Sequence, residues 1–152
     1  MEEDILNKAT RIFTDYLENN KFRKTPERYK VLKFIYLDSG HFNVDSLYKN
    51  IRKHYRISKA TVYNTILLLV DCKLVNKLDF SGNAHYYEIR LGIVPHGHTI
   101  CTKCGKIEDL YDDTIIVKIN KSLVSKDWEY TYINFVYMVY VKNASKIKYD
   151  KI

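Results

Sequence analysis

The chain has 152 residues, of which 46% are hydrophobic, and a formal net charge of +7. This length suits one ordinary domain or two small ones. The excess of basic residues favours a polyanionic partner, and nucleic acid is a better match than a membrane surface. A generic lysine-rich surface is the alternative explanation of the charge. The longest apolar run, Ile66–Val70, is too short to span a bilayer. The acidic start and the three cysteines predict a cytoplasmic protein without a signal peptide.

The first part of the chain predicts three helices. Apolar side chains at helical spacing between Ile5 and Leu17 indicate the first helix. Thr25-Pro26 is typical of a helix start and predicts a second helix, which Gly40 ends. A third helix is expected to begin near Asn43 or Asp45.

A fourth helix and a hairpin follow. Ser58 is the predicted cap of a helix that runs to about Cys72. Its front half is polar, whereas Ile66–Val70 is apolar all round and is expected to be buried. Leu74–Arg90 reads as two strands turned at Ser81-Gly82-Asn83. Helices in sequence followed by a hairpin predict a winged helix-turn-helix.

The remainder predicts a β-α-β unit, small enough that dimerisation is expected to complete its core. Strands are expected at Thr99–Thr102 and Lys106–Leu110, then a helix capped by Asp112 or Asp113, then one or two strands within Trp128–Val141. The fold class is therefore α+β, a winged helix-turn-helix domain followed by a small α/β dimerisation domain. The predicted boundaries are residues 1–90 for DNA binding, 91–95 for a hinge, 96–142 for dimerisation and 143–152 for a tail.

Residues 96–109 contain two imidazoles, two thiols and two carboxylates, all of them competent ligands for a transition metal. His96-x-His98 on a strand points both rings to one face, because side chains alternate with period two. Cys101-x-x-Cys104-Gly has the spacing of a zinc knuckle. A metal is therefore expected to take part in the function.

Several motifs together resemble the ferric uptake regulator family of bacterial metalloregulators, closest to its iron-sensing branch. They occur in family order over roughly residues 10–125. The most specific are the Ala-Thr-Val-Tyr-x-Thr run and the His-x-His-x-x-Cys-x-x-Cys-Gly-Lys run. The matching segments are Arg23–Arg28, His41 with Leu47-Tyr48, Ser58–Thr65, Tyr87-Glu88, His96-x-His98 and Cys101–Asp109.

The resemblance implies a regulatory metal between a DNA-binding and a dimerisation domain. The ligands that it implies are His41, Glu88, His96, His98 and Asp109. Imidazole and carboxylate ligands suit Fe²⁺, Mn²⁺, Zn²⁺ or Co²⁺ without choosing among them, and the resemblance makes iron the first candidate. Alternation along a strand puts Glu108 and Asp109 on opposite faces, and the family register favours Asp109.

DNA contact is expected from the helix-turn-helix and the segment before it. A tyrosine ring can pack on a thymine methyl, and asparagine suits adenine in the major groove, although each position could be a solvated surface residue instead. Arg23 and Arg28, on either side of the predicted start of the second helix, are candidates for minor-groove and phosphate contacts. The expected residues are Arg23, Arg28, Ser58, Lys59, Thr61, Tyr63 and Asn64.

The sequence departs from the family pattern at its end. No cysteine follows Cys104 and no histidine follows His98, so a four-cysteine zinc site cannot be completed within this chain. Cys101 and Cys104 are therefore either thiols that hold no metal or an incomplete structural site that needs ligands from elsewhere. His54 and His85 are expected on the surface.

The function predicted is a metal-dependent transcriptional repressor of metal-ion homeostasis, with no enzymatic activity and no membrane partner. A homodimer would bind an AT-rich pseudo-palindromic operator in double-stranded DNA. One alternative is a peroxide sensor of the same family, with which Asp109 is compatible, although Glu88 leans towards iron sensing. A metallohydrolase and a metal-independent DNA-binding protein are further alternatives. The hydrolase is disfavoured because five protein ligands leave little open coordination.

Overall fold

A computed structural model describes residues 2–37, 40–78, 85–94, 96–101, 107–112, 114–115, 117–118 and, as backbone alone, 136–139. The chain divides into two compact units, Met1–Ile93 and Val94–Ile152. This division falls inside the predicted hinge at 91–95, while the full set of domain boundaries stays a prediction. Within the described residues, no helix combines the length and the apolar character needed to cross a bilayer.

The helices of the first unit begin where the local sequence signals predict. Asn43 caps the third helix, because its side chain accepts a hydrogen bond from the Ser46 amide and the Ser46 hydroxyl accepts one from the Asn43 amide. Ser58 caps the fourth by accepting from the Thr61 amide at 3.0 Å. The second helix is described to Leu37, and the two residues between it and its predicted end at Gly40 lie outside the described residues. The bounds are α1 Glu2–Asn19, α2 Pro26–Leu37, α3 Val44–Arg52 and α4 Lys59–Asp71.

One apolar core joins these helices to the strands that follow. Each helix contributes side chains at helical spacing, because only one stripe of each faces inward. The back half of α4 is not buried on every side as predicted: Leu67 is 38% exposed and points outward. Residues of the core that are 1% exposed or less include Ala9, Phe13, Leu17, Val31, Leu32, Ile35, Ile51, Val62, Ile66, Leu69 and Leu74.

A two-stranded wing follows α4. Strand β1 (Val75–Leu78) pairs with β2 (Tyr86–Ile89) in antiparallel register, and the predicted turn at Ser81–Asn83 lies outside the described residues. The other edge of β2 is also paired: Phe42 and Tyr87 exchange backbone hydrogen bonds of 2.9 and 2.8 Å. Their rings stack at 5.8 Å between centroids. The segment before α3 is thereby fixed against the wing.

The second unit is built on a sheet in which β3 (Gly97–Cys101) lies between β4 (Ile107–Leu110) and β5 (Val136–Val139). β4 is antiparallel to β3, whereas β5 is parallel to it. β3 begins two residues earlier than predicted, so that His98 lies within the strand. Asp112 accepts hydrogen bonds from the amides of Thr114 and Ile115 and so caps the helical residues that follow. The tail at 143–152 lies outside the described residues.

Candidate metal centre and nucleic-acid interface

His41 and Glu88 meet in the first unit. In an antiparallel bridge between Phe42 and Tyr87, the residue before one partner lies opposite the residue after the other. His41 Nε2 is 3.5 Å from Glu88 Oε2, and the two side chains are 16% and 6% exposed. The Asn76 amide donates to Glu88 Oε1 at 3.2 Å. Burial of a carboxylate is costly unless polar or positive groups compensate it, so this pair is a built feature and not a solvated strand face.

His96, His98 and Asp109 meet in the second unit. His98 is the direct antiparallel partner of Asp109, and His96 immediately precedes β3, two positions before His98. The two imidazole rings lie 4.8 Å apart between centroids, and His96 Nε2 is 3.5 Å from Asp109 Oδ1. Both histidines are buried. Glu108 is paired with Thr99 and so belongs to the opposite face.

The His96 ring has a defined tautomer. Its Nδ1 lies 2.9 Å from the carbonyl oxygen of Val94, and a carbonyl can only accept a hydrogen bond, so Nδ1 carries the proton. In the neutral ring, Nε2 is then the unprotonated nitrogen, and it lies 3.5 Å from Asp109 Oδ1. A backbone carbonyl that fixes one ring nitrogen is the usual support of a metal-binding histidine.

Within each pair, the distance between the two donor atoms fits coordination of one divalent cation. Two ligands about 2.1 Å from one ion lie about 3.0–3.4 Å apart in octahedral or tetrahedral geometry. The His41–Glu88 and His96–Asp109 pairs, each at 3.5 Å, are close to this spacing. The donors are imidazole nitrogens and carboxylate oxygens, which suit Fe²⁺, Mn²⁺ and Zn²⁺.

Tyr111 and Asn76 support these residues, and our sequence reasoning missed both. The Tyr111 hydroxyl donates to Asp109 Oδ2 at 3.2 Å, and its ring lies 5.3 Å from that of His96. Continuing the His98–Asp109 register by two residues in each direction pairs His96 with Tyr111. Asn76 is the cross-strand partner of Glu88. A correct strand register would therefore have found both residues.

Whether Cys101 and Cys104 hold a metal stays a prediction. Cys101 is buried at the end of β3, and Cys104 lies outside the described residues. Cys72 is half-buried at the end of α4, and burial raises the pKa of its thiol to about 11. His54 and His85 are both exposed, as predicted.

The residues predicted to contact DNA lie at the first turns of α4, before α2 (Arg23) and in the first turn of α2 (Arg28). Tyr63 is 45% exposed and Asn64 is also exposed, whereas Ser58 and Thr61 share the helix cap. Lys59 Nζ is 2.6 Å from the carboxylate of Asp45 on α3, and this ion pair holds the pKa of Asp45 below its usual value.

Arg28 brings the two predicted groups together. A cavity of about 330 Å³ is lined by Arg28 from α2 and by Thr61 and Asn64 from α4. The Arg28 guanidinium donates to the Arg23 carbonyl and lies 5.9 Å from the centre of the Phe22 ring. The predicted contacts of α2 and α4 therefore share one surface, although their role in DNA binding stays a prediction.

The fold and these side chains define a winged-helix protein with clustered histidines and carboxylates of the kind that can hold a transition metal. The model of the ferric uptake regulator family matches residues 19–138. The chain therefore belongs to the ferric uptake regulator family, and the resemblance read from its motifs is confirmed.

Individual relatives support the same family membership. The peroxide-responsive repressor PerR of Staphylococcus saprophyticus is 32% identical over 96 residues, which cover 62% of this chain and 64% of that protein. The ferric uptake regulation protein of Bacillus subtilis is 25% identical over 118 residues, covering 75% of this chain and 78% of that protein. The structure of the Helicobacter pylori ferric uptake regulator Fur matches with a TM-score of 0.78 at 21% identity, over 95% of this chain and 96% of that chain. The predicted α+β fold and the prediction of a metal-dependent transcriptional regulator are confirmed.

Proposed function

We propose that the protein is a dimeric repressor whose affinity for DNA rises when His41, Glu88, His96, His98 and Asp109 hold one divalent cation. Fe²⁺ is the first candidate, with Mn²⁺ or Zn²⁺ as alternatives. The observation that carries the proposal is that each unit already brings a histidine nitrogen and a carboxylate oxygen to within 3.5 Å. The pairs are His41 with Glu88 in the first unit and His96 with Asp109 in the second.

The connection between the halves permits a shared ion. Glu88 and His96 are eight positions apart in the sequence, which corresponds to at most roughly 29 Å of extended chain. A cation held by residues of both units would restrain the angle between them. The ligand set would thereby couple metal binding to the relative placement of the DNA-binding and dimerisation domains.

This coupling is a linkage between two equilibria. If the cation binds the DNA-competent arrangement more tightly than other arrangements, DNA in turn strengthens metal binding by the same factor. A change from mostly inactive to mostly active needs about 5.5 kcal/mol of differential binding. Several metal–ligand bonds made in only one arrangement can supply this amount.

The DNA-binding surface would be the first turns of α4 together with Arg23 and Arg28. In a dimer, two such helices would enter successive major grooves of an AT-rich pseudo-palindrome. Tyr63 and Asn64 are exposed where base contacts are needed, and Lys59, Ser58 and Thr61 surround the start of the helix. A repressor acts where the chromosome is, so we propose a cytoplasmic location.

The test is the metal dependence of DNA binding in ligand variants. His96→Ala and His98→Gln remove a nitrogen donor each, and we expect metal-dependent gel shifts of operator DNA to be lost in both. The His85→Ala variant is the matched control, since His85 is exposed on the wing. Circular dichroism checks that the variants fold. Metal-dependent shifts that persist unchanged in both ligand variants would contradict the proposal.

A second candidate is peroxide sensing within the same family. It is supported by the 32% identity to a peroxide-responsive repressor and is compatible with an aspartate at position 109. Iron at the proposed ligands would then promote oxidation of a histidine by peroxide. Mass spectrometry of the Fe²⁺-loaded protein after peroxide treatment decides between the two: one added oxygen on His41, His96 or His98 supports sensing of peroxide, and unmodified histidines support sensing of iron.

We further propose that Cys101 and Cys104 form no complete zinc site within the chain. The chain has no cysteine after Cys104 to complete a four-thiolate set. The purified protein should therefore contain less than one chelator-resistant zinc per chain. One tightly held zinc that is lost in the Cys101→Ser variant would show instead that ligands are borrowed from elsewhere.

A further inference from the structure

The end of α3 and the turn that leads to α4 present five consecutive exposed residues, Arg52-Lys53-His54-Tyr55-Arg56, called here the basic turn. None of these residues belongs to the proposed ligand set or to the predicted DNA contacts. Three of them carry a positive charge at neutral pH. Such a concentration of positive charge is the kind of basic patch that attracts a polyanion.

The basic turn is held by packing and not only by its chain ends. The ring of Phe34, from α2, lies 5.7 Å from the His54 ring and 5.9 Å from the Tyr55 ring, the latter edge-on. Lys30, also from α2, places its ammonium 4.6 Å from the centre of the Tyr55 ring. The amides of His54 and Tyr55 donate to the Ile51 carbonyl at 3.0 and 2.9 Å. The charges are therefore presented by a fixed scaffold.

The basic turn also forms a groove. Its volume is about 510 Å³, and it is lined by Tyr48, Ile57 and all five residues of the turn. None of the described residues that line this groove is acidic. Arg52 lies 6.0 Å from the centre of the Tyr48 ring. An open groove with three cations and no carboxylate on its walls is complementary to a polyanion with phosphate groups along its length.

The groove leads directly to α4. Arg56 is two residues before Ser58, the cap of α4, and the first turns of α4 carry the predicted base contacts. When the start of a recognition helix enters the major groove, the residues just before it face the sugar–phosphate backbone that borders the groove. An acidic membrane surface is the weaker match, because lipid binding by a surface segment also needs a broad exposed apolar face.

We propose that the basic turn binds the phosphodiester backbone of DNA beside the bases that α4 contacts. The inference rests on the proposed DNA binding and adds a phosphate-binding surface to it. Contacts of this kind position the protein without reading sequence. The basic turn should therefore contribute affinity and salt dependence, but no operator preference.

The experiment measures how DNA affinity depends on salt. The full-length protein, with Mn²⁺ present, is titrated with an AT-rich duplex of about 30 base pairs, long enough for a dimer on two half-sites about one helical turn apart. The test variant carries Arg52→Gln, Lys53→Gln and Arg56→Gln. The control variant carries Lys8→Gln, Arg11→Gln and Lys73→Gln, three exposed positions outside the basic turn, and so has the same net charge.

Loss of three phosphate contacts should reduce the slope of log affinity against log salt by about 2.7 per protomer. The loss of affinity between about 50 and about 200 mM salt would then be about 40-fold smaller than in the wild type, for each protomer engaged. We expect a change of less than about 1 in the slope of the control variant. If the test variant unfolds, Arg52→Lys with Arg56→Lys keeps the charges and should keep the slope, while Lys53→Gln alone should lower it by about 0.9.

Equal slopes in the test and control variants would overturn the inference while leaving the proposed function intact. A wild-type protein that binds no duplex at all would overturn both. Vesicles that contain phosphatidylserine provide the last comparison. Loss of vesicle binding in the test variant, with the DNA slope unchanged, would assign the surface to membranes and would also overturn the inference.

Discussion

The contact of Tyr111 with Asp109 allows a sharp test of the proposed ligand set. The Tyr111→Phe substitution removes one hydroxyl and keeps the ring, which lies 5.3 Å from the ring of His96. The hydroxyl donates to Asp109 Oδ2, whereas Asp109 Oδ1 is the oxygen nearest to His96 Nε2. If Asp109 is a ligand through Oδ1, the tyrosine orients the carboxylate without touching the cation.

The size of the effect follows from the geometry of the bond. At 3.2 Å, with the Asp109 side chain 37% exposed, this hydrogen bond is long and partly screened by water. Its net contribution should be that of an ordinary hydrogen bond, about 0.5–1.5 kcal/mol. Loss of this amount from the metal-bound state weakens metal affinity about 2- to 12-fold. This loss is at or below the roughly 10- to 100-fold loss of metal affinity that is typical when a residue supporting a metal ligand is replaced.

The assay is competition for Mn²⁺ between the protein and a fluorescent chelator, without DNA. Mn²⁺ is chosen because it prefers carboxylate and imidazole ligands to thiolates. Tyr63→Phe is the matched control: it removes a hydroxyl from an exposed tyrosine on α4 and should leave the affinity for Mn²⁺ unchanged. Unchanged affinity in Tyr111→Phe would refute the orienting role. A loss of more than about 100-fold would show that the hydroxyl does more than support one ligand.

Three further predictions concern the first unit. Asp45→Asn removes the partner of Lys59 and a negative charge near the start of α4. DNA binding should therefore tighten, and the slope of log affinity against log salt should steepen by about 0.9. Weaker binding would show that the ion pair orients Lys59 instead. Leu69→Ala opens a cavity at a position with no exposed surface. Chemical denaturation should therefore show a loss of about 2–5 kcal/mol in the free energy of unfolding. A loss below about 1 kcal/mol would contradict the close packing described around Leu69. Burial raises the pKa of Cys72 to about 11, so its thiol should be alkylated slowly at neutral pH in the folded state and quickly in urea. Since the folded pKa is the higher one, the stability that this thiol contributes is complete below about pH 9 and is lost as the pH rises towards about 11.

Much of the fold could be predicted because its signals are local. Asn43 and Ser58 cap the helices that they were expected to cap, since a side-chain oxygen and an amide three residues later suffice for the interaction. The period of two along β3 was enough to put His96 and His98 on one face. The family was recognisable because its motifs are short runs of contiguous residues.

Interactions between distant segments were decided only by the tertiary structure. His41 lies beside Glu88 because Phe42 and Tyr87 exchange backbone hydrogen bonds across 45 positions of sequence, and no local pattern specifies such a bridge. Tyr111 reaches Asp109 and His96 through the pairing register of β3 and β4, which local sequence patterns do not specify. Leu67 points outward although its neighbours are buried, because burial depends on which elements pack against a helix. The candidate metal donors and the class of protein were thus determined by the sequence, whereas the contacts between those donors and the groove of the basic turn required non-local packing.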